Sequence, residues 1–282
     1  MLKLFLKSPS AIFGLPVLTI MCFSALFGSD ISNHDPYKQN LSSRLKPPSW
    51  HQDGSSDNLL GTDQLGRDLF TRIMLGGRAS LIVGILSVVL SGIIGVPIGL
   101  YSGYSRGRLD EIIMAIADVQ LAFPFLLLVL VISFLLGPSL QNTIIALGIA
   151  GWVPYARVTR GEVLSIRENE YIWAAKSIGC HPIRIITKHV LPQVVTPLII
   201  LGTLQMAWMI VIESALSYLG MGVQAPTPSW GNMLSEGRVH LMTSWWYATF
   251  PGLAITFTVL GLNLIGDWAR DICDPKSKLR NL

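Results

Sequence analysis

The chain has 282 residues, of which 51% are hydrophobic and 13% are charged, and its formal net charge is +4. This balance excludes an ordinary soluble domain, in which about a quarter of the residues are charged. The small positive charge does not indicate a nucleic-acid partner, because it follows from how basic residues are distributed between loops. Three distant cysteines and five scattered histidines show no spacing typical of disulfides or of a metal site.

Six apolar runs predict an all-α, multi-pass membrane protein with six membrane-spanning helices. We expect the fourth run to be extended by the helix that follows it, and the third to bend at Pro124. In chain order the runs are 11–27, 79–100, 112–136, 143–153, 194–219 and 245–265.

The first run follows Lys3 and Lys7, a pattern that a signal peptide also shows. The residues after it, Gly28-Ser29-Asp30, make a poor cleavage site, which favours an uncleaved membrane helix. At the other end of the chain, Trp245, Trp246 and Tyr247 are typical of an aromatic belt at the membrane surface.

Residues 28–78 form a long polar segment that prolines and glycines interrupt. Its last part is typical of a capped amphipathic helix with Asp63 near its start. Leu69, Ile73 and Met74 would share one face of that helix. We expect it to lie at the membrane surface and to lead into the second span.

Two glycine motifs have structural interpretations, and a third motif is absent. The GxxxG spacing of Gly95 and Gly99 favours close packing of helices. The pattern G-x-S-x-G at Gly103 to Gly107 matches a hydrolase motif, but it joins two apolar runs and is better explained as a tight turn. No Gly-Lys pair exists, so the phosphate-binding loop of ATPases is absent, and another chain must bind ATP if ATP is used.

Two acidic residues fall within the predicted spans. Asp118 lies a turn or two from the predicted cytoplasmic edge, where a surface role is as plausible as a functional one. Glu213 lies deeper, where a charge is expensive, and we expect it to serve packing or gating. No other acid or histidine lies close enough in the spans to suggest a proton relay.

The distribution of lysine and arginine predicts the orientation of the chain. With the N-terminus in the cytoplasm, fourteen of these residues lie on the cytoplasmic side and seven outside, six of the seven in the 28–78 segment. Both termini are therefore predicted to be cytoplasmic, as is the polar stretch between the fourth and fifth spans.

That stretch, residues 170–192, predicts two short helices joined by a sharp turn. Gly179 suits the left-handed position that ends the first helix, and Pro182 suits the first turn of the second. In the second helix, Ile183, Ile186 and Val190 would share a face. Pro192 would then end it, because the residue before a proline is disfavoured in the α region.

The alanine pair, the glycine and the terminal Leu-Pro resemble the cytoplasmic EAA loop of permease subunits of bacterial ABC importers. In that family the loop places a short coupling helix in a groove of an ATPase subunit. Trp173 stands where many members carry glutamate. The resemblance assigns the contact to Ala174, Ala175, Gly179, Pro182, Ile183, Ile186, Leu191 and Pro192.

Further motifs resemble one branch of this family, the second membrane subunit of dipeptide, oligopeptide and nickel importers. They are 60–68, Arg72, Gly77-Arg78, 213–220, Gln224, 226–228, 230–233, Pro251-Gly252, Asn263, Gly266-Asp267, Asp271 and Asp274-Pro275. This resemblance implies a type I ABC permease fold. It divides the chain into a first helix with an extracytoplasmic segment (1–78), a five-helix core (79–272) and a cytoplasmic tail (273–282).

The resemblance also implies the function and the partners. The chain would pair in the bacterial cytoplasmic membrane with a second homologous permease, two ATP-binding subunits and an extracytoplasmic solute-binding protein. It would hold no cofactor, metal or catalytic residue itself, since ATP and Mg²⁺ would bind the partner subunits. Peptides are the expected solute and nickel is the alternative. A secondary transporter, the rival from another class, would need paired intramembrane charges and an inverted repeat, and the sequence shows neither.

Overall fold

The computed structural model describes residues 9–32 and 34–273. Lys3 and Lys7, and residues 274–282 of the predicted cytoplasmic tail, lie outside these ranges. Within them the regular secondary structure is helical, residues 34–68 are mostly turns and irregular backbone, and the one β-type pairing is an isolated bridge between Thr62 and Asp68. The prediction of an all-α chain is therefore confirmed for the described residues. The helices are α1 (Pro9–Ile31), α2 (Leu69–Ser105), α3 (Arg108–Ala122), α4 (Phe125–Leu136), α5 (Leu140–Ala150), α6 (Trp152–Ile166), α7 (Glu170–Ser177), α8 (Pro182–Ile185), α9 (Leu191–Tyr218), α10 (Trp230–Gly237) and α11 (Trp246–Cys273).

Four helical stretches among the described residues are long and apolar enough to cross a membrane: Ser10–Gly28, Leu69–Ser105, Pro182–Tyr218 and Trp246–Cys273. A fifth span results if α3 and α4, which meet at an angle of 93°, are counted together. The predicted fourth run corresponds to α5 and α6, which meet at Gly151 and are 11 and 15 residues long. The structure thus supports four or five spans by length and composition.

Helix α2 begins ten residues earlier than the predicted second span. Its N-cap is Asp68, whose carboxylate accepts hydrogen bonds from the backbone N–H of Thr71 at 2.8 Å and from its hydroxyl at 2.6 Å. The predicted start near Asp63 is therefore wrong, and the helix that was expected to lead into the second span is continuous with it, since residues 69–78 are the first turns of α2. Its 37 residues extend for about 55 Å, more than the about 30 Å of a hydrocarbon core.

The break between α3 and α4 confirms the predicted bend. Phe123 (φ −89°, ψ 137°) and Pro124 (φ −56°, ψ 122°) both have extended backbones. Proline lacks the N–H that would continue α3, and it disfavours the α region at the residue before it. The chain therefore turns sharply within an apolar stretch.

Small residues let α2 approach α6 closely. A Cβ added at Gly95 would lie 2.4 Å from the carbonyl oxygen of Trp152, and one added at Gly99 would lie 2.4 Å from that of Ala156. A Cβ at Gly103 would meet the carbonyl oxygen of Arg160 at 2.9 Å. The predicted use of the GxxxG spacing for helix packing is confirmed, and it extends by one more turn.

The predicted aromatic belt is only partly present. Trp245 is exposed, but Trp246 and Tyr247 are buried. Tyr247 donates a short hydrogen bond from its hydroxyl to Glu236, so its polar group is satisfied within the protein. Side chains at successive positions of a helix face different directions, and only one of the three faces outward.

Buried ion pairs connect the polar segment to the helices. The Asp63 carboxylate lies 2.6 Å from Nε of Arg67 and 3.3 Å from Nε of Arg72. Arg67 also lies 3.5 Å from the carboxylate of Glu236 in α10. Asp63 therefore anchors the segment against the start of α2.

Candidate functional site

The loop between α6 and α9 has the predicted form of two short helices joined by a turn. Gly179 has φ +76°, and its N–H donates to the carbonyl of Lys176 at 3.0 Å. The N–H of Cys180 donates to the carbonyl of Ala175 at 3.0 Å. These two bonds form a Schellman motif, in which glycine avoids the strain that a Cβ would introduce. The expected role of Gly179 in ending the first helix is confirmed.

The second helix starts as predicted but continues past Pro192. Pro182 occupies the first turn of α8, after the N-cap His181. Leu191 has α-helical dihedral angles (φ −53°, ψ −45°), so the prediction that the helix ends at Pro192 is wrong. The reason is a π-helical turn, Ile186–Val190, directly before α9. A proline lacks the N–H for the regular α-helical bond, and the chain departs from α-helical pairing where that donor would be missing.

The same π turn changes which face of the second helix is buried. Ile185 and Val190 are fully buried, whereas Ile183 is 65% exposed and Ile186 is half-buried. Residues five apart lie on nearly the same side of a π turn, because it has more than four residues per turn. The expected face of Ile183, Ile186 and Val190 is therefore wrong, and the inward face is Ile185 with Val190.

The other predicted contact residues differ in exposure. Ala174 and Pro192 are exposed, Ala175 is buried, and Leu191 is half-buried. Among the described residues, and apart from its chain neighbours, no atom lies within 4 Å of a Cβ added at Gly179. Large apolar side chains are also exposed in this loop: Ile178 is 81% exposed, and Trp173 is exposed beside the ammonium group of Lys176.

Arginines that sequence analysis used only for orientation fix this loop to the turn between α2 and α3. Arg167 donates from Nη1 to the carbonyls of Gly103 and Tyr104, at 3.3 and 3.0 Å. Arg106 forms an exposed ion pair with Glu168 at 3.2 Å. The Gly103–Gly107 turn, predicted from its glycines, therefore lies directly beside the start of the loop.

A third arginine, Arg160, holds α6 against α3. Arg160 donates from Nε and Nη2 to the two carboxylate oxygens of Asp110, at 2.6 and 2.7 Å. Such a two-point contact fixes both distance and orientation. The pair is separated by 50 residues, so sequence spacing gives no signal for it.

Glu213 is fully buried between α2 and α9. Its carboxylate accepts hydrogen bonds from the hydroxyls of Ser80 at 2.8 Å, Ser217 at 2.7 Å and Ser214 at 3.5 Å. A buried acid is tolerated when its oxygens are satisfied in this way. Ser217 stands four residues from Glu213, a spacing readable from sequence, but Ser80 lies on a distant helix.

Asp118 has a partner that the sequence did not reveal. Its carboxylate forms a short ion pair with Arg157 of α6, and both side chains are largely exposed. Exposed pairs contribute little to stability. The structure thus places Asp118 at a surface, away from the Glu213 cluster.

Taken together, the spans, the close α2–α6 packing and the polar loop define a multi-pass helical membrane protein. Residues 95–279 match the sequence profile described as "Binding-protein-dependent transport system inner membrane component", and the chain belongs to this family. Residues 1–48 match the profile described as the N-terminal TM domain of oligopeptide transport permease C. The chain is a protein of the bacterial cytoplasmic membrane.

Curated relatives are similar over nearly their full length. The di/tripeptide transport system permease protein DppC of Pseudomonas aeruginosa is 42% identical over 97% of this chain and 90% of its own. The oligopeptide transport system permease protein OppC of Bacillus subtilis is 39% identical over 96% of this chain and 87% of its own. A chain of the inward-facing MetNI methionine ABC transporter superposes with a TM-score of 0.59 at 19% identity, covering 72% of this chain and 97% of that chain. That similarity concerns the fold alone.

Proposed function

We propose that this chain is one of two homologous permease subunits of an ATP-driven importer of di- or oligopeptides. The main support is the set of curated relatives, whose names describe di/tripeptide, dipeptide and oligopeptide permeases at about 40% identity. An extracytoplasmic binding protein would deliver the peptide. The family description, which names a binding-protein-dependent system, supports this partner.

The proposed topology has six spans and two cytoplasmic termini. It counts the bent pair α3–α4 as the third span and the pair α5–α6 as the fourth. The excess of lysine and arginine in the loops that this topology places inside supports it. In this arrangement residues 1–78, 79–272 and 273–282 remain the proposed divisions of the chain.

The loop at residues 170–192 is the proposed contact with an ATP-binding subunit. Its exposed apolar residues support this, because Trp173, Ile178 and Ile183 lie in a part of the chain that would otherwise face water. Small clusters of exposed apolar side chains rimmed by polar ones are typical of protein interfaces. Ala174, Ala175, Gly179, Pro182, Ile186, Leu191 and Pro192 complete the proposed contact set.

The proposed mechanism is alternating access. Closure of the ATPase dimer would move the loop, and the anchors at Arg167 and Arg160 would transmit that movement to α2, α3 and α6. Shifting a two-state equilibrium from 1:99 to 99:1 requires about 5.5 kcal/mol of differential interaction. ATP and Mg²⁺ would reside on the partner subunits, and this chain would catalyse no reaction and bind no cofactor. Asp118 would form an ion pair at the surface, and Glu213 would serve packing or gating.

The test is uptake by the reconstituted complex of both permeases, the ATPases and the binding protein. We expect ATP-dependent accumulation of labelled dialanine or trialanine, and no ATP binding by this chain alone. Accumulation of nickel but not peptide would favour the metal importer. Uptake without ATP, driven by a proton gradient, would instead identify a secondary transporter.

A further inference from the structure

An apolar groove of about 560 Å³ lies between α1, the first turns of α2 and α11. It is open to the surface of the chain, because Ile20 of α1 and Phe257 of α11 are 63% and 44% exposed. No lining residue is charged, and the polar side chains of the lining are only those of Thr19 and Ser24. On α11 the lining residues have the spacing of one helix face: Phe250, Leu253, Ala254 and Phe257.

The groove runs in the direction that a lipid chain takes in a membrane. Phe250 and Phe257 are separated by about 10 Å along the axis of α11, and one leaflet of the hydrocarbon core is about 15 Å deep, half of the whole core. The ring of Phe250 lies 6.1 Å from that of Trp50 and 5.7 Å from that of Trp245. Both tryptophans are exposed, and exposed tryptophans are typical of the membrane–water interface. The Phe250 end of the groove therefore faces the lipid headgroups.

An arginine stands beside the groove at the edge of the apolar layer. Arg78 is exposed and directly precedes the uncharged run 79–100. It forms no ion pair or hydrogen bond with any side chain that the structure describes. It follows Met74, which lines the groove, by four residues, and residues four apart are neighbours on a helix surface. Side chains of a helix lean toward its N-terminus, so Arg78 extends toward the turn of Met74.

The size of the groove favours a lipid chain over a helix of another subunit. A helix with its side chains is about 10–12 Å wide, so a 10 Å length of it fills roughly 800–1,100 Å³. The groove provides about 560 Å³, and an acyl chain is much slimmer than a helix. Within a membrane, an acyl chain gains little by exchanging lipid neighbours for apolar side chains. A preference for one lipid must therefore come from its headgroup.

We propose that this groove binds the acyl chain of an anionic phospholipid whose phosphate pairs with the guanidinium of Arg78. The charge of Arg78 is not neutralised on its own helix, because α2 contains no acidic residue. A guanidinium presents its donors in a fork that matches two oxygens of a phosphate. The net charge of phosphatidylglycerol retains this attraction, whereas the ammonium group of phosphatidylethanolamine offsets it. The site lies apart from the loop at residues 170–192 and does not depend on which solute is carried.

Photolabelling of the complete transporter in lipid nanodiscs tests this site. The probes are phosphatidylglycerol and phosphatidylethanolamine with a diazirine in one acyl chain, and mass spectrometry identifies the labelled peptides. We expect phosphatidylglycerol to label α1 and α11 along the groove more strongly than phosphatidylethanolamine does. Arg78→Gln should lower this labelling roughly twofold to fivefold, the effect of one exposed ion pair, and Arg78→Lys should retain part of it.

A second set of variants tests the groove itself. Thr19 is an exposed lining residue, so Thr19→Trp should fill part of the groove and lower labelling by both lipids. Ile93→Trp adds the same ring at an exposed position of α2 outside the groove, and Arg108→Gln removes another exposed arginine. Both control variants should leave the labelling of the groove unchanged.

Three results would overturn the proposal. One is equal labelling by the two lipids that does not respond to Arg78→Gln, and another is labelling that does not respond to Thr19→Trp. The third is cross-linking of benzoylphenylalanine at position 257 to a protein subunit instead of lipid, which would assign the groove to a partner helix. The measurement follows lipid and not uptake, so failure of the complex to take up any peptide would overturn the proposed function alone.

Discussion

Replacing Gly179 by leucine should weaken the proposed contact between this subunit and an ATP-binding subunit. Gly179 has φ +76°, and an L-residue in that conformation costs about 1–2 kcal/mol. The turn would therefore lose roughly a factor of five to thirty in its preference for the observed form. Apart from its chain neighbours, no atom of the described residues lies within 4 Å of the added Cβ, so that Cβ itself meets open space.

Two matched variants separate strain from volume. Gly179→Asn adds a side chain that tolerates a positive φ, whereas Gly179→Ala carries the strain with little added volume. We expect the asparagine variant to retain most ATPase binding, the alanine variant to lose part, and the leucine variant to lose the most. The assay is co-purification of the ATPases together with uptake of labelled dipeptide in the same membranes. Wild-type ATPase binding and uptake by the leucine variant would refute the proposed coupling role of this turn.

Three further predictions address packing, the buried acid and topology. Gly99→Val should prevent accumulation of folded subunit, because its Cβ would lie 2.4 Å from a main-chain oxygen and overpacking costs about 1–3 kcal/mol or more. The control variant Gly161→Val, whose Cβ would meet open space, should accumulate far better. Equal expression of the two variants would contradict this account. Glu213→Gln should retain a folded complex, because its amide oxygen can still accept hydrogen bonds from the serine hydroxyls. Glu213→Leu leaves these hydroxyls unpaired, which costs about 1–3 kcal/mol for each buried group. Thermal unfolding in detergent measures the difference, and equal unfolding midpoints would argue against a stabilising role of these hydrogen bonds. In a cysteine-free background, Ser55→Cys should react with a membrane-impermeant reagent only from outside and Ser105→Cys only from the cytoplasm, and labelling of both from one side would reject the six-span topology.

The ion pair of Arg106 makes this residue unsuitable as a neutral control for variants of the loop at residues 170–192. Sequence analysis predicted a tight turn at Gly103 to Gly107 and no contact between this turn and the loop at residues 170–192. In the structure Arg106 pairs with Glu168, next to Arg167, just before the loop at residues 170–192. Variants at Arg106 therefore affect the loop's surroundings, and Gly161 is the better site for a neutral comparison.

The sequence by itself determined features that depend on near neighbours in the chain. The left-handed turn at Gly179, the helix start at Pro182 and the bend at Pro124 follow from backbone preferences of single residues. The spacing of Gly95 and Gly99 likewise predicted close helix packing, since residues four apart share a helix face. Composition alone indicated a multi-pass membrane protein, because soluble proteins do not carry such apolar runs.

Only the tertiary structure decided which distant groups meet. Ser80 and Glu213 are 133 residues apart, and Asp118 and Arg157 are 39 apart, and no local preference encodes such pairs. The sequence also did not reveal the π turn before Pro192. That turn keeps the helix continuous through Pro192 and leaves Ile183 exposed. Local rules describe what a residue favours in isolation. Packing of α2, α6 and α9 adds free energy from many contacts at once, and that sum overrides single-residue preferences of about 1 kcal/mol.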